Sequence, residues 1–543
     1  MRRSAVSGNS KPVSSAGFSN SSVADVVPTV KLRLRRLVVA SALPCSHTRR
    51  IRFVTNRMEP DVGNLKRFAE LRDGDEVLVP GDARSYAAQM VARITGTVVI
   101  GATVVVALLG GPNAISAPQT PTVQPVDEKA LREYTGVYQW ESNAFVYLQM
   151  WDEFSGFGKP QLVAFDESGD VRTLYSTDSN QFFAGPGAAL SASIESRIVF
   201  QRNSAGQIVS LTWQRDGAAP RTAKRVEIET REDVRFTNRD VRLTGTLIAP
   251  SVGGRHPAIV LVHGSGAENR AYMLPWARFL IHHGIAVLGY DKRGVGESTG
   301  DWNAATYEDL AGDAVAAVEY LKTRRDIDAT QIGVAGISQA GWIMPLAAVR
   351  SKDIAFLISI SGAGVTPAET TIDQARNEMT MTGMPAATVA DIVALIRLQY
   401  DFARTGNGWD AYAAAREKLV ARMGAPPETA FPSTPQHPQW QVIKRTYFYD
   451  PVPTLRQLTV PTLAVWGELD NNIMADKNKP AWDTALKAAG NRDYTLVVIP
   501  RANHAMLEAK VGSNAEVKSL QRFAPSYFTT IEDWLAKRIR GFH

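Results

Sequence analysis

The most constraining feature of this sequence is a short apolar segment that runs into a cluster of small residues around one serine. Residues 332–335 have the continuous apolar character of a buried strand, and residues 342–349 are compatible with a helix. Between them lies Gly336-Ile337-Ser338-Gln339-Ala340-Gly341. A strand that turns this sharply into a helix lifts the serine hydroxyl above the sheet and tolerates only small neighbours. The sequence therefore predicts an exposed, nucleophilic Ser338 whose hydroxyl lies beside the free amides of a helix start.

The chain around this serine alternates apolar strands with helices. Strands are predicted at 258–262, 285–290, 355–360, 462–466 and 494–499, with a hairpin at 234–248 and a helix at 307–323. Strands that are apolar throughout and separated by helices predict an α/β fold with a mostly parallel sheet covered on both faces. Residues 365–456 interrupt the sheet with helical periodicity, and we expect them to form a lid over the site.

Two polar residues follow the last two predicted strands. Asp470 ends the phrase Gly-Glu-Leu-Asp after the strand at 462–466, and His504 ends Ala-Asn-His after the strand at 494–499. Because the carboxyl ends of the strands build the site in open α/β sheets, we expect Asp470 and His504 to lie near Ser338. A serine needs a base, and that base needs an orienting acid, so these residue types fit nucleophilic catalysis.

The order Ser, Asp, His and the phrases around these residues resemble those of the α/β-hydrolase family. His263-Gly-Ser-Gly266 and Asp291-Lys-Arg-Gly-Val-Gly-Glu-Ser298 recur in that family too, so the resemblance covers about residues 234–539. It implies that Ser338 is the nucleophile, His504 the general base and then acid, and Asp470 the residue that fixes the imidazole tautomer, with Glu468 as the alternative acid. It further implies an oxyanion hole made by the backbone N–H groups of Ser265 and Gln339. The sequence contains no His-Glu-x-x-His or Walker pattern, so we expect neither a metal nor another cofactor.

This resemblance implies an enzyme that cleaves carboxylic ester or thioester bonds through an acyl-enzyme, with a small acyl substrate or a short peptide as its partner. One alternative is a serine exopeptidase, which needs a lid carboxylate to hold a free amine. The candidates for that carboxylate are Glu369, Asp373, Glu378 and Asp391. The other alternative is a catalytically silent binding protein on the same fold.

A different pattern precedes the hydrolase-like part, which we place at 230–543. Short alternating apolar runs broken by turns predict a small antiparallel β domain at 127–229, joined to the preceding residues by a proline-rich linker at 118–126. The phrases Tyr134-Thr-Gly-Val-Tyr138 and Phe200-Gln-Arg-Asn-Ser-Ala-Gly206 resemble the small lipocalin-like modules that accompany some serine hydrolases. We interpret this domain as a docking or substrate-screening module.

The basic character of the chain is confined to its N-terminal part. Eleven basic residues against two acidic ones give residues 1–60 a net charge of +9, whereas the whole chain carries +6, so the remainder carries −3. The folded part therefore has no basic surplus that would indicate nucleic-acid binding. Residues 1–89 have the composition of a poorly ordered extension, and their Cys45 is the single cysteine, which excludes an intrachain disulfide.

Residues 90–117 predict an export signal or, as the alternative, a membrane anchor. Met90 and Arg93 precede an apolar run at 94–109, and small residues follow it. This run is longer than a typical signal core and shorter than a comfortable membrane span. We expect a periplasmic, extracellular or membrane-anchored protein whose physiological product begins near Met90. The sequence gives no oligomeric state.

Overall fold

A computed structural model describes residues 51–52, 76–77, 123–141, 144–151, 161–166, 168–191, 193–271 and 274–542. The chain divides into two units, Met1–Asp82 and Ala83–His543. In the first unit, β1 (Ile51–Arg52) pairs antiparallel with β2 (Glu76–Val77). The predicted export segment at 90–117 lies outside the described residues, as do most of the extension at 1–89 and the first part of the linker.

The second unit begins with an antiparallel nine-stranded sheet, which confirms the predicted β domain. A short helix, α1 (Glu128–Arg132), precedes the sheet. Its strands are β3 (Gly136–Glu141), β4 (Ala144–Trp151), β5 (Gln161–Asp166), β6 (Val171–Thr173), β7 (Tyr175–Asp178), β8 (Gln181–Ala184), β9 (Ser196–Arg202), β10 (Ile208–Arg215) and β11 (Arg221–Val226). Strands β6 and β7 lie at opposite ends of the sheet order but only Leu174 separates them in sequence, so the sheet curls back on itself. Its inner face is packed with apolar side chains, including Tyr138, Leu148 and Phe200.

The following mixed eight-stranded sheet confirms the predicted α/β-hydrolase architecture. Its strands are β12 (Glu229–Asn238), β13 (Val241–Pro250), β14 (His256–Val262), β15 (Ala286–Tyr290), β16 (Ile327–Ile337), β17 (Phe356–Ile360), β18 (Thr462–Gly467) and β19 (Tyr494–Ile499). They are ordered β12-β13-β15-β14-β16-β17-β18-β19. The hairpin β12–β13 and the pair β13–β15 are antiparallel, and every later pair is parallel. The carboxyl ends of β14 to β19 therefore meet at one edge of the sheet.

Alternate residues along each central strand enter two different hydrophobic layers. In β14, Val260 packs in one layer and Ile259 and Leu261 pack in the other. Helices α3 (Tyr307–Lys322), α4 (Ala340–Arg350) and α10 (Ala475–Ala488) cover the first face, and α2 (Leu274–His282) and α11 (Ser526–Ala536) cover the second. Burial on both faces explains why these strands are apolar throughout.

Residues 365–456, which we call the lid, form a helical insertion between β17 and β18. Its helices are α5 (Pro367–Met381), α6 (Ala386–Thr405), α7 (Trp409–Met423), α8 (Gln439–Thr446) and α9 (Val452–Leu455). Helix α5 begins at a capping box, in which the Thr366 hydroxyl accepts the N–H of Glu369 while the Glu369 carboxylate accepts the N–H of Thr366. The lid helices α5 to α8 bury a hydrophobic core of their own, so the insertion is a packed layer.

The β domain packs against a chain segment that in turn supports the loop of His504. The N–H of Val171 donates to the carbonyl of Gln521 at 3.0 Å, and the N–H of Ala188 donates to that of Leu520 at 2.6 Å. On the other side of this segment, Leu507 and Phe523 form an antiparallel bridge. Residues 520–524, which we call the bridging segment, therefore lie between the β domain and the loop after β19.

None of the described helices is long and apolar enough to cross a membrane.

Candidate active site

The turn between β16 and α4 has the strained geometry that the sequence predicts for Ser338. Ser338 has a φ of 59°, a left-handed backbone conformation that residues other than glycine rarely adopt. A Cβ atom on Gly336 would lie 2.4 Å from the carbonyl oxygen of Val262, and one on Gly341 would lie 2.5 Å from the Cα of Gly362. Ala340 is completely buried, so its methyl group fits where neither glycine could carry one.

The structure brings His504 and Asp470 together. The Nδ1 atom of His504 lies 3.0 Å and 2.9 Å from the two carboxylate oxygens of Asp470, which is 3% exposed. The backbone N–H groups of Asn472 and Ile473 also donate to Asp470, at 2.9 and 2.8 Å. A carboxylate at Nδ1 holds the proton there and leaves Nε2 able to accept a proton from a nucleophile.

Glu468, the alternative acid, occupies a different position in the same loop. Its side chain is exposed, and its carboxylate accepts the backbone N–H of Arg501 at 2.8 Å. It therefore supports the first residues of the histidine loop, and Asp470 is the carboxylate that contacts the imidazole.

A serine that the sequence analysis did not single out fixes the backbone of His504. Ser361 lies at the end of β17 with a φ of 47°, and its hydroxyl donates to the carbonyl oxygen of His504 at 3.0 Å. The side chain of Asn503 accepts the N–H groups of Ala505 and Leu507, which closes the turn after the histidine. No local pattern identifies Ser361, because the contact joins residues 143 positions apart.

One cavity of about 360 Å³ contains the predicted residues from three different loops. Ser338, His504, Ser265 and Gln339 all line it, and the lid forms its outer wall. The Asp470 carboxylate lies behind His504 and does not line the cavity. Among the residues that the structure describes, no group of three or more His, Cys, Asp or Glu side chains is arranged to hold a metal ion.

The two predicted oxyanion donors come from two loops that line this cavity. Ser265 belongs to the loop after β14, and Gln339 immediately precedes α4. Across residues 123–542, with the gaps given above, neither backbone N–H donates a hydrogen bond to a protein acceptor. The neighbouring N–H of Gly264 is occupied by the Glu268 carboxylate at 2.8 Å. The arrangement therefore offers two backbone donors to a bound oxygen atom.

His263 is a structural residue of the same loop. It is buried, and its Nε2 lies 2.5 Å from the carbonyl oxygen of Tyr290, so the neutral ring donates a hydrogen bond there. Burial, helped by the positive charge of Lys292, lowers the pKa of His263 to about 3. The imidazole is consequently neutral at physiological pH and holds the loop to the end of β15.

Lys292 is a cation of the site to which the sequence analysis assigned no role. It is 1% exposed and lines the cavity. Its Nζ donates to the carbonyl oxygens of Gly264 and Gly266 and to the side-chain oxygen of Gln339, at 2.7, 3.0 and 2.8 Å. Burial lowers its pKa to about 8, although the negative charges of Glu268 and Asp313 oppose this shift.

Comparisons with known proteins identify similar sequences over part of the chain. Residues 259–515 match the model of a family described as the alpha/beta hydrolase family. The esterase EstD of Thermotoga maritima is 25% identical over 302 residues, which are 53% of this chain and 64% of that protein. The thiohydrolase aneE of Aspergillus aculeatus is 33% identical over 137 residues, which are 25% of this chain and 42% of that protein. The chain thus spans less than two thirds of the length of either relative.

A solved structure, the Pyrococcus furiosus esterase Pf2001, matches with 18% identity and a TM-score of 0.39 over 57% of this chain and 91% of that one. The family match runs from β14 past the end of β19, and it includes Ser338, Asp470 and His504. The mixed-sheet domain of this chain therefore matches the alpha/beta hydrolase family over residues 259–515, just under half of the chain.

Proposed function

We propose that this chain is a serine hydrolase that cleaves carboxylic ester or thioester bonds through an acyl-enzyme. The observation that carries the proposal is the pairing of His504 with Asp470 at one cavity that also contains Ser338 on a strained strand–helix turn. Perturbed backbone geometry at a serine, together with an oriented histidine, is the arrangement that acyl transfer requires.

The proposed reaction has two half-reactions. In the first, Nε2 of His504 takes the proton of Ser338 while its Oγ attacks the substrate carbonyl carbon, and Asp470 stabilises the imidazolium that forms. The N–H groups of Ser265 and Gln339 hold the negative oxygen of the tetrahedral intermediate. His504 then protonates the leaving alkoxide or thiolate, which departs and leaves an ester on Ser338. In the second half-reaction, His504 activates a water molecule that releases the acid and restores the serine.

The wall that the lid contributes favours uncharged substrates. The lid residues that line the cavity carry no charge, and they are Pro367, Thr370, Thr371, Gln374, Gln439, Val442, Thr446 and Tyr447. A buried cation or anion needs a counter-charge or several hydrogen bonds, because desolvation of a charged group is costly. The wall is better suited to a neutral acyl or alcohol group with some polar atoms than to the free amine of a peptide.

The four lid carboxylates that could hold the free amine of an exopeptidase substrate do not line the cavity. Glu369 caps its own helix, and Asp373 pairs with Lys477 at 2.5 Å and with Arg376 at 2.8 Å. Asp391 pairs with Arg422 at 2.7 Å, and Glu378 is buried in α5. None of the four lines the cavity. These placements favour the esterase over the exopeptidase.

The relatives support the same choice. The two relatives are an esterase and a thiohydrolase, and both names describe hydrolysis. An ester and a thioester pass through the same tetrahedral intermediate, so one site of this geometry serves both.

The test compares p-nitrophenyl esters from acetate to octanoate with leucyl and alanyl p-nitroanilides, using the full chain and Ser338→Ala. We expect ester turnover to exceed anilide turnover by at least about 10²-fold and to disappear in Ser338→Ala. Ser351→Ala, at the far end of α4, is the matched control and should keep the wild-type rate. Faster cleavage of anilides that depends on their free amine would support the exopeptidase. No turnover in either protein would contradict the proposal and favour the silent binding protein. Ester turnover that survives in Ser338→Ala would contradict the assignment of Ser338 as the nucleophile.

Export or anchoring through residues 90–117 remains part of this proposal. The supporting pattern is a basic start, an apolar run and small residues after it. N-terminal sequencing of the protein from periplasmic, secreted and membrane fractions tests it. Recovery of the intact N-terminus from a soluble cytosolic pool would contradict it.

A further inference from the structure

The ammonium group of Lys292 is fully occupied by three neutral acceptors next to the proposed oxyanion hole. An ammonium has three protons, and here they go to the carbonyls of Gly264 and Gly266 and the side-chain oxygen of Gln339. None of the described carboxylates forms an ion pair with this ammonium, although Glu268 and Asp313 act on it through their charge. A buried lysine held mainly by neutral acceptors is costly, because its charge loses its hydration. Such an arrangement calls for a role beyond packing.

The contacts of Lys292 determine the direction of one proposed donor. The carbonyl of Gly264 and the N–H of Ser265 belong to the same planar trans peptide unit, so the two groups point in opposite directions. By holding the carbonyl of Gly264, Lys292 makes the N–H of Ser265 point away from the ammonium. The hydrogen bond also polarises that peptide unit and makes its N–H a stronger donor.

The third contact of Lys292 fixes the residue that carries the other proposed donor. The side-chain oxygen of Gln339 accepts from Lys292, and its amide also forms a hydrogen bond with the Tyr307 hydroxyl. The carbonyl of Ser338, in the peptide unit that carries the N–H of Gln339, accepts from the N–H of Gly341 at 2.9 Å. Both sides of the hole are therefore tied to one cation and to the first turn of α4.

We propose that Lys292 is a positioning residue that holds the two backbone donors of the oxyanion hole at a fixed separation, and that its positive charge stabilises the tetrahedral intermediate. This inference rests on the proposed function. It assigns to the buried cation a share of the transition-state stabilisation that would otherwise belong to the two N–H groups alone.

The charged state of Lys292 gives the proposal a pH signature. Burial lowers its pKa to about 8. The titratable groups around it are Glu268 and His263 of the loop after β14 and Asp313 of α3, and His504 lines the same cavity. Activity should decline above about pH 8 as the ammonium loses its proton. Stability should change in the opposite sense. Between the native pKa and the ordinary value of 10.5 the unfolded chain binds more protons, so the free energy of unfolding rises with pH.

The experiment measures kcat, KM and the pH profile for p-nitrophenyl acetate in wild type, Lys292→Met and the control Lys322→Met. Methionine keeps the length of the side chain without its charge, whereas Lys322 forms a surface ion pair with Asp353. In Lys292→Met we expect kcat to fall by about 10²- to 10³-fold with KM within about threefold, and the decline above pH 8 to disappear. The Lys322 variant should match wild type in all three measurements.

Several outcomes would overturn the inference. A kcat within about threefold of wild type in Lys292→Met would do so, as would an alkaline decline that persists in this variant. If Lys292→Met does not fold, Gln339→Met removes one acceptor of the ammonium and should lower kcat about tenfold while keeping the alkaline decline. An unchanged kcat in Gln339→Met contradicts the inference. So does a loss of wild-type activity above pH 8 that is caused by unfolding, which urea denaturation of the wild type at pH 9.5 would reveal. Labelling of wild-type Ser338 by a fluorophosphonate is measured first, because its failure would overturn the proposed function instead.

Discussion

Replacement of Asp470 by asparagine tests how much of the chemistry depends on one carboxylate. In the native site, Asp470 accepts the N–H of His504 at Nδ1 and two backbone N–H groups. The asparagine oxygen can still accept the backbone donors, but its NH₂ group can satisfy His504 only if Nδ1 carries the lone pair. The proton then moves to Nε2, the nitrogen that has to take the proton of Ser338.

The expected loss follows from this tautomer change. The same exchange in the Ser-His-Asp protease template lowers kcat by about 10⁴-fold, which corresponds to ~5 kcal/mol of transition-state stabilisation at 1.36 kcal/mol per tenfold. The cost in folding stability should be only about 1 kcal/mol, since the two backbone N–H groups at 2.9 and 2.8 Å remain paired. A large kinetic loss with a small change in stability is the distinguishing result.

The assay is hydrolysis of p-nitrophenyl acetate by Asp470→Asn, with urea unfolding measured on the same preparations. Glu468→Gln is the matched control, because Glu468 lies two residues away, is exposed and contacts the backbone of Arg501. We expect this control to stay within about twofold of wild type. An Asp470→Asn variant that keeps more than a tenth of the wild-type kcat would refute the assignment of Asp470 as the orienting acid.

Three further predictions concern the elements around the site. Gly336→Ala should lower the free energy of unfolding by about 1–3 kcal/mol, because its methyl group would lie 2.4 Å from a carbonyl oxygen of β14. Gly253→Ala, at a position with open space, should leave it almost unchanged, and equal losses in urea unfolding would contradict this. Arg172→Met should speed amide hydrogen exchange in residues 505–509 and 520–524, since the guanidinium donates at 2.6 Å to a carbonyl of the bridging segment. Exchange equal to that of the exposed control Arg197→Met would contradict the claim that the β domain supports the histidine loop. Because His263 is buried and neutral, the free energy of unfolding should decrease as pH falls from 6.5 towards its pKa of about 3, by ~2.5 kcal/mol at pH 4.5. His263→Gln should flatten that part of the plot of urea-unfolding stability against pH, and an unchanged slope would contradict the assignment.

The parts of the site that could be predicted from the sequence are those encoded by local patterns. The elbow around Ser338 is a contiguous phrase, and the loops of Asp470 and His504 directly follow apolar strands whose carboxyl ends share one edge of the sheet. The same patterns gave the antiparallel β domain and the helical lid. Local periodicity and strand order carry this information, so it can be extracted without coordinates.

The parts that escaped prediction depend on contacts between distant segments. The hydroxyl of Ser361 donates to the carbonyl of His504, and Lys292 bonds to two loops that are distant from it in sequence. Likewise, nothing in the alternating strands of the β domain indicates that Val171 would bond to Gln521, beside the histidine loop. A lysine or serine in a loop is normally solvated, so residue type alone favours the surface interpretation of these positions.

The contact through the bridging segment adds a structural role to the interpretation of the β domain. The docking or screening role stays a prediction, and the structure shows backbone hydrogen bonds to the segment that packs against Leu507. Gly187 of the β domain approaches this region so closely that a Cβ atom would lie 2.7 Å from the carbonyl oxygen of Lys518. Support of the histidine loop is therefore a structural contribution of the β domain.

The most direct test of the account is to locate the covalent adduct that a fluorophosphonate forms with the full-length protein. Peptide mass mapping should find a single modified residue, Ser338, and the labelling rate should fall by at least about 10³-fold in His504→Ala because the nucleophile loses its base. An adduct on another residue, or a labelling rate that does not depend on His504, would contradict the claim that these two side chains act together.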